Sequence, residues 1–302
     1  MNWLKTMCVD LHTHSVYSDG TATPLQLIRM AAASGLTGFA LTDHDTVEGV
    51  AEAMRLGTEH GVDVLSGLEL SARHGEGCIH ILGYGVDLAN PQLCAALARL
   101  QQGRAERNVQ ILDKLVKLGI AITMEETERL SACGQTGRPH IARLLLAKGY
   151  VQSLNHAFTL YLGRNKAAWC GRFAYSAAET IAIIHEAGGV AVLAHPGIID
   201  PELKAQPQLV RELAERHLDG MEIHYPGHNY NMIQLFSGLA KQHGLIATGG
   251  SDYHGDSRIK GLAGRATGFF PPDSIMEQLR DRLRAPRTST LNASDHADHT
   301  CC

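Results

Sequence analysis

The chain has 302 residues, 44% of them hydrophobic, enough to bury a large core as one big domain or as a domain with an insertion. Its net charge of -4 and pI near 6.5 exclude the basic field that grips duplex nucleic acid by its phosphates, so any nucleic-acid substrate is expected to be small or single-stranded. No apolar run reaches the ~18 residues that span a bilayer, and "MNWLKTMCVD" lacks the basic and long apolar regions of a signal peptide. Seven cysteines without a repeated C-x-x-C spacing fit a reduced, cytoplasmic setting, and the sequence gives no sign of a membrane or an obligate protein partner.

In chain order, a first strand ends in "CVDLHTH" and a helix follows at about 24–34. There Thr23, Pro24 and Gln26 read as N-cap, first-turn proline and capping-box glutamine, and Gly35 closes the helix. "TGFALTDHD" is the next strand, a helix at about 47–60 comes after it, and "VDVLSGLEL" is a third strand. This alternation is that of an α/β fold. From about 90 to 170 helical periodicity dominates, which predicts a helical insertion over 91–170 between two barrel segments, 7–90 and 171–285. The rhythm resumes with a second capping box at Ser176 and Glu179, a helix at 177–187 and the strand "GVAVLAH". "LDGMEIHYPG", a helix at about 229–243 and "LIATGGSDYHG" complete the series. The tail 286–302, "PRTSTLNASDHADHTCC", has almost no apolar content and is expected to be disordered.

Seventeen histidines, several beside aspartates, point to metal. The candidate ligands each follow a predicted strand, and in a parallel α/β barrel those strand ends converge on one face. His12 and His14 project the same way because the side-chain period of a strand is two, and Asp252 with His254 repeats the spacing. Adding Asp19, His44, Glu69, His80 and His195 gives nine candidates. One ion uses ~4 to 6 positions, some of them left to water and substrate, so the set matches three ions. Glu69, the only glutamate among them, has two oxygens with which to bridge.

As a set, "HTHSVYSDG", "TDHD", "GLEL", "HILGY", "AHPG" and "GSDYHG" resemble the polymerase-and-histidinol-phosphatase (PHP) superfamily of metal-dependent phosphoesterases, over residues 9–270. "TGRPHIARLLLAKG" and "GMEIHYPGHN" are similar to the branch that acts as nucleoside 3',5'-bisphosphate phosphatase and, in relatives, as a 5'-to-3' exoribonuclease on short RNA. The resemblance implies a distorted (β/α)7 barrel with a helical insertion, and three divalent ions, Mn²⁺ foremost with Fe²⁺ or Zn²⁺ open. It implies that His12, His14, Glu69 and Asp252 hold a first ion, Glu69, His80 and His195 a second, and Asp19, His44 and His254 a third. Asp10 and Asp43 are expected to fix imidazole orientation.

A phosphate monoester carries nearly two charges, which such ions would neutralise while activating water. His228, four residues after His224, is a candidate proton donor to the departing sugar oxygen. A second anion site would distinguish a bisphosphate from a simple monoester, and "GRPHIAR" offers Arg138 and His140 at a proline-started helix end. On the helix starting near 92, Arg104 and Asn108 interrupt the stripe of Leu97, Leu100, Ile111 and Leu115, which places both against substrate or against protein carbonyls. Arg107, Arg143, Arg164 and Lys166 read as solvated charges.

The leading reading is therefore a phosphatase for the 3'-phosphate of nucleoside 3',5'-bisphosphates. Its rivals are a 5'-to-3' exoribonuclease on short single-stranded RNA, a histidinol phosphate phosphatase, a C–N hydrolase of the amidohydrolase kind and a non-catalytic metal-binding module. No lysine ends a ligand strand where the amidohydrolase arrangement would want one, and all nine ligands of the catalytic arrangement are present.

Overall fold

The predicted alternation closes into a seven-stranded barrel, seen in a computed structural model that describes residues 7–131, 135–255, 261–264 and 266–286. The expected disordered tail lies, from residue 287 on, outside the described residues. Strands β1 (Val9–Asp10), β2 (Gly38–Leu41), β3 (Asp63–His74), β4 (Gly77–Tyr84), β5 (Val190–Leu193), β6 (Gly220–His224) and β7 (Ile246–Gly249) lie side by side in sequence order. Past the ends of β1 and β7 the chain pairs again: Asp252 N–H donates to the His12 carbonyl at 2.8 Å and His14 N–H to the Tyr253 carbonyl at 2.9 Å. That contact joins last strand to first and needs Gly250, where a Cβ would stand 2.3 Å from the His12 nitrogen.

One strand departs from the expected all-parallel order. β3 turns directly into β4, and β4 pairs antiparallel with both β3 and β5 while the remaining pairs are parallel. Glu69 and His80 therefore lie within their strands rather than after them, His80 standing opposite Ser71. Because β4 runs in reverse, its early residues reach the same mouth as the late residues of its neighbours.

Helices α1 (Pro24–Ser34) and α2 (Val50–His60) pack outside the first strands, α1 with the predicted capping box and a left-handed Gly35. α3 (Pro91–Lys117), α4 (Met124–Glu128), α5 (Arg138–Ala147) and α6 (Leu154–Ala157), the last running into a π turn over Phe158–Leu162, fill the stretch between β4 and β5. They share a core of their own around Ile111, Leu115, Ile141, Leu145 and Leu162. α7 (Ala177–Glu186) leads into β5; α8 (Gln206–Glu215), α9 (Tyr230–His243) and α10 (Ser274–Arg284) complete the chain. α8 and α10 have no counterpart in the sequence reading. α10 packs Ile275, Met276 and Leu279 against Val9, Leu11, Tyr84 and Val192, and Met276 crowds Gly38 at the start of β2. The barrel is thus closed at the end away from the ligand-bearing loops.

Candidate metal centre and anion pocket

All nine candidate ligands meet at one mouth, with Glu69 as their hub. Its Oε2 lies 2.9 Å from His44 Nδ1, 3.3 Å from His14 Nε2 and 3.4 Å from His12 Nε2, and its Oε1 lies 2.8 Å from His80 Nδ1 and 3.0 Å from His195 Nε2. Asp252 Oδ1 stands 3.2 Å from His14 Nε2 and 3.4 Å from His12 Nε2, and Asp19 Oδ1 is 3.2 Å from His254 Nε2. Yet His12 Nε2, His14 Nε2, His44 Nδ1, Glu69 Oε2 and His254 Nε2 are buried without a hydrogen-bond partner. Donor atoms that close together yet not aligned on one another fit cations placed between them.

Among the described residues, ligand atoms lying within 4.8 Å of one another form three groups: His12, His14, Glu69 and Asp252; His14, Asp19, His44 and His254; and His44, Glu69 and His80. The first coincides with the set that the resemblance implies. The others differ from it, since His14 joins Asp19, His44 and His254, and His44 reaches the Glu69–His80 pair that was expected to share only His195. Two of the nine adopt backbone angles that non-glycine residues rarely take: φ is 28° at His195 and 54° at Asp252. Hydrogen bonds hold both, from His195 N–H to Glu222 Oε2 at 2.8 Å and from Asp252 N–H to His12.

The carboxylates set the charge state of the imidazoles. Burial by itself disfavours a charged histidine, but Glu222, Glu69 and Asp252 outweigh it at His12 and hold that ring well above its ordinary value. His14 is raised to about 9 by Asp252 and Glu69, and His80 to about 10 chiefly by Glu69, each against burial. At His44 burial wins and takes the ring down to about 4. The same carboxylates that draw protons onto these rings would draw a cation into the cluster in their place.

The orienting groups are not those expected. Glu222, missed in the sequence, receives His12 Nδ1 at 3.0 Å, which leaves Nε2 to face the ligand cluster. Asp10 accepts instead from the backbone of Ser251 and Ala263 at 2.8 Å. Asp43 accepts from Ser15 N–H and from the Ser15 and Ser18 hydroxyls, and touches His14 only through Ser18.

Beside the cluster lies a second centre. Asp45, next to His44 and left-handed at φ 52°, binds Arg104 Nη2 at 2.6 Å and Arg172 Nη1 at 3.1 Å, and all three are buried. Arg107, expected to be solvated, is 2% exposed. Among the described residues its hydrogen bonds go only to Asn108 Oδ1, from Nε at 3.3 Å and Nη2 at 3.0 Å. Burial, then Arg172, Arg138 and Arg104, lower its hold on its proton well below the usual arginine range. Arg104 and Arg172 pair with Asp45, while Arg107 meets an amide oxygen in place of a carboxylate, so an anion beside it would be held by charge.

Arg138 opens α5 at the edge of this pocket, with Nη1 3.4 Å from the Leu162 carbonyl. His140 is buried and accepts from Gly137 N–H at 3.1 Å, which satisfies the N-cap backbone of α5. Asn108 is committed to protein groups, its amide donating to Thr136 and its oxygen accepting from Arg107. Arg143 is not simply solvated, since it donates to the Asp19 carbonyl at 2.6 Å, whereas Arg164 and Lys166 are exposed. His228 loses the proton-donor role expected of it. Its Nδ1 lies 2.9 Å from the Ile223 carbonyl and its Nε2 receives Gly197 N–H at 3.2 Å, so both ring nitrogens are engaged by backbone.

A family model for the PHP domain matches residues 10–223. A 3',5'-nucleoside bisphosphate phosphatase from Chromobacterium violaceum is 34% identical over 284 residues, covering 92% of this chain and 98% of that one. The 5'-3' exoribonuclease Rnm of Escherichia coli is 35% identical over 252 residues, covering 81% of this chain and 84% of its own. Among solved structures, a protein from Bifidobacterium adolescentis assigned as a metal-dependent phosphoesterase superposes with a TM-score of 0.83 at 30% identity, covering 91% of this chain and 96% of that one.

Proposed function

Because this chain belongs to the PHP domain family of metal-dependent phosphoesterases, we propose that it removes the 3'-phosphate of nucleoside 3',5'-bisphosphates, adenosine 3',5'-bisphosphate among them, to leave the nucleoside 5'-monophosphate and phosphate. The observation that carries this reading is the arginine-rich pocket beside the ligand cluster. A simple monoester needs one anion site, whereas a bisphosphate fills both, its 3'-phosphate at the histidines and its 5'-phosphate against Arg104, Arg107, Arg138 and Arg172. Histidinol phosphate fits poorly, since its ammonium group would face those guanidiniums.

Three divalent ions, Mn²⁺ foremost, are proposed for the three ligand groups, where they would supply charge neutralisation and activation of water. The chain's own part is to hold the donors. Glu69 presents one oxygen to each side of the cluster, Glu222 fixes the His12 tautomer, and the Tyr225 hydroxyl steadies Asp252 Oδ2 at 3.2 Å. Residues 91–170 are read as an insertion that covers the mouth, tied down by Gln101 to the Asp45 carbonyl, Gln135 to the His44 carbonyl and Arg143 to the Asp19 carbonyl.

The test is phosphate release, with Mn²⁺, from adenosine 3',5'-bisphosphate, adenosine 3'-monophosphate, adenosine 5'-monophosphate and histidinol phosphate on one preparation. The bisphosphate is expected to lead in kcat/KM, and a lead for histidinol phosphate would overturn the reading. A 5'-phosphorylated RNA end presents the same pair of phosphates, as the exoribonuclease relatives recommend. Faster release of nucleotide from a short 5'-phosphorylated RNA than of phosphate from the bisphosphate would make RNA the main substrate.

A further inference from the structure

His228 has both ring nitrogens taken by backbone, and what it holds is the turn that carries His195. That turn, Pro196–Ile198, lies just after β5. His195 enters it at φ 28° and ψ 59°, a pair that an L residue rarely adopts. The proline that follows makes it rarer still, because a residue before proline favours extended backbone. Such a conformation persists only where its surroundings over-determine it.

The surroundings do so one peptide further on. The Pro196–Gly197 peptide group is gripped at both ends: its carbonyl accepts from Gln206 Nε2 at 3.0 Å, and its N–H donates to His228 Nε2 at 3.2 Å. With the φ of Pro196 set by its ring, a fixed peptide plane leaves the His195 backbone little freedom. His228 is itself fixed. Its Nδ1 donates to the Ile223 carbonyl at 2.9 Å, its backbone N–H donates to the Tyr225 carbonyl at 2.9 Å, and its ring is wedged against Tyr225 and Phe236 with centroids 5.0 Å and 4.9 Å away. A carbonyl only accepts and an N–H only donates, so the ring is the neutral Nδ1–H tautomer. Glycine at 197 suits the grip, since a Cβ there would stand 2.7 Å from His228 Cδ2. Glu222 takes the His195 N–H at 2.8 Å, so β6 and the loop after it hold His195 from both sides.

We propose that His228 is a positioning residue for the metal centre, which holds His195 through the Pro196–Gly197 peptide so that the His195 ring reaches Glu69 at 3.0 Å and His80 at 3.3 Å. The inference rests on the ligand set of the proposed function, in which His195 serves one ion with Glu69 and His80.

Mn²⁺ titration of the full-length protein, read as binding without turnover, tests it with His195→Ala as the reference. His228→Leu should weaken the same ion that His195→Ala weakens, about 10- to 100-fold, and leave the remaining ions within about twofold. His228→Gln, whose side-chain oxygen can stand where Nε2 stands and accept from Gly197 N–H, should recover most of that loss. Gly197→Ala, which presses on the wedged ring from the other side, should reproduce the loss with His228 intact, and it carries the test by itself if His228→Leu fails to fold. A proportional loss of every ion, or a loss in His228→Gln as large as in His228→Leu, would make His228 a residue of the fold alone. Unchanged affinities in both His228→Leu and Gly197→Ala, or a His195→Ala variant that keeps every ion, would leave it nothing to position. Each of these results overturns the inference. Normal bisphosphate hydrolysis without the selective loss defeats the positioning role and spares the proposed activity, whereas the selective loss in a protein that releases no phosphate does the reverse.

Discussion

Arg107→Gln separates an anion pocket from a structural arginine. The glutamine Nε2 falls where Arg107 Nε stands, so it can keep that hydrogen bond to Asn108 Oδ1 while the charge and the Nη2 bond are lost. If the pocket exists to hold a 5'-phosphate, the variant loses a charge-assisted contact worth ~1.5–3 kcal/mol, and kcat/KM for adenosine 3',5'-bisphosphate should fall about 10- to 150-fold. Activity on adenosine 3'-monophosphate, which has no second phosphate, should stay within about threefold, a change of ~0.6 kcal/mol. The substrate-free protein should be as stable as the parent or more so, because a buried guanidinium without a carboxylate of its own raises the energy of the folded state. Parallel substrate profiles and urea unfolding curves measure both halves. A variant that is destabilised and loses both substrates equally would show that Arg107 serves the fold, and the pocket would no longer support a bisphosphate.

Three further outcomes are expected. Chelator-treated protein should be inactive and recover with Mn²⁺; full turnover by verified metal-free protein would falsify the phosphoesterase mechanism. Glu222→Gln should weaken metal binding about 10- to 100-fold by disturbing the His12 tautomer while leaving the far-UV circular dichroism unchanged, and unaltered affinity in a metal titration would count against that role. His140 is lowered to about 4, mainly by burial, so the folded state resists protonation that the unfolded chain accepts near 6.5. Its effect on stability is nil above that pH and becomes a loss of about 3 kcal/mol as pH falls from 6.5 through 4. His140→Gln, which can keep the hydrogen bond from Gly137 N–H, should remove that share of the acid sensitivity; unchanged unfolding curves at pH 4 and 7 would refute it.

The metal centre was legible because its information is local. His12 and His14 sit two apart on extended chain, Asp252 and His254 repeat the pattern, and strand ends in a barrel have to converge whatever lies between them. The direction of β4 was not legible, since "CIHILGYG" reads as a strand in either sense and only the short turn after His74 forces the reversal. Glu222 hid for a related reason. In the alternating pattern of β6 an isolated glutamate reads as a residue facing solvent, and nothing nearby in sequence announces the His12 ring 210 positions earlier. His228 shows the converse error, a histidine in a suggestive local pattern whose two nitrogens the backbone had already taken.

The arginine pocket was half legible, and what escaped the reading is what gives it meaning. Arg104 announced itself by interrupting an apolar stripe, but Asp45 and Arg172 meet across 127 positions and Arg107 looked like one more surface charge. Only their common burial reveals that Arg107 sits among guanidiniums with no carboxylate in its own hydrogen bonds. With the divalent cations proposed for the neighbouring cluster in place, the two centres would repel one another across a poorly screened interior. A ligand with a single phosphate relieves one of them. On the proposed function a ligand with two phosphates a ribose apart would relieve both, and selectivity for the bisphosphate would then follow from charge placement, with little demanded of shape.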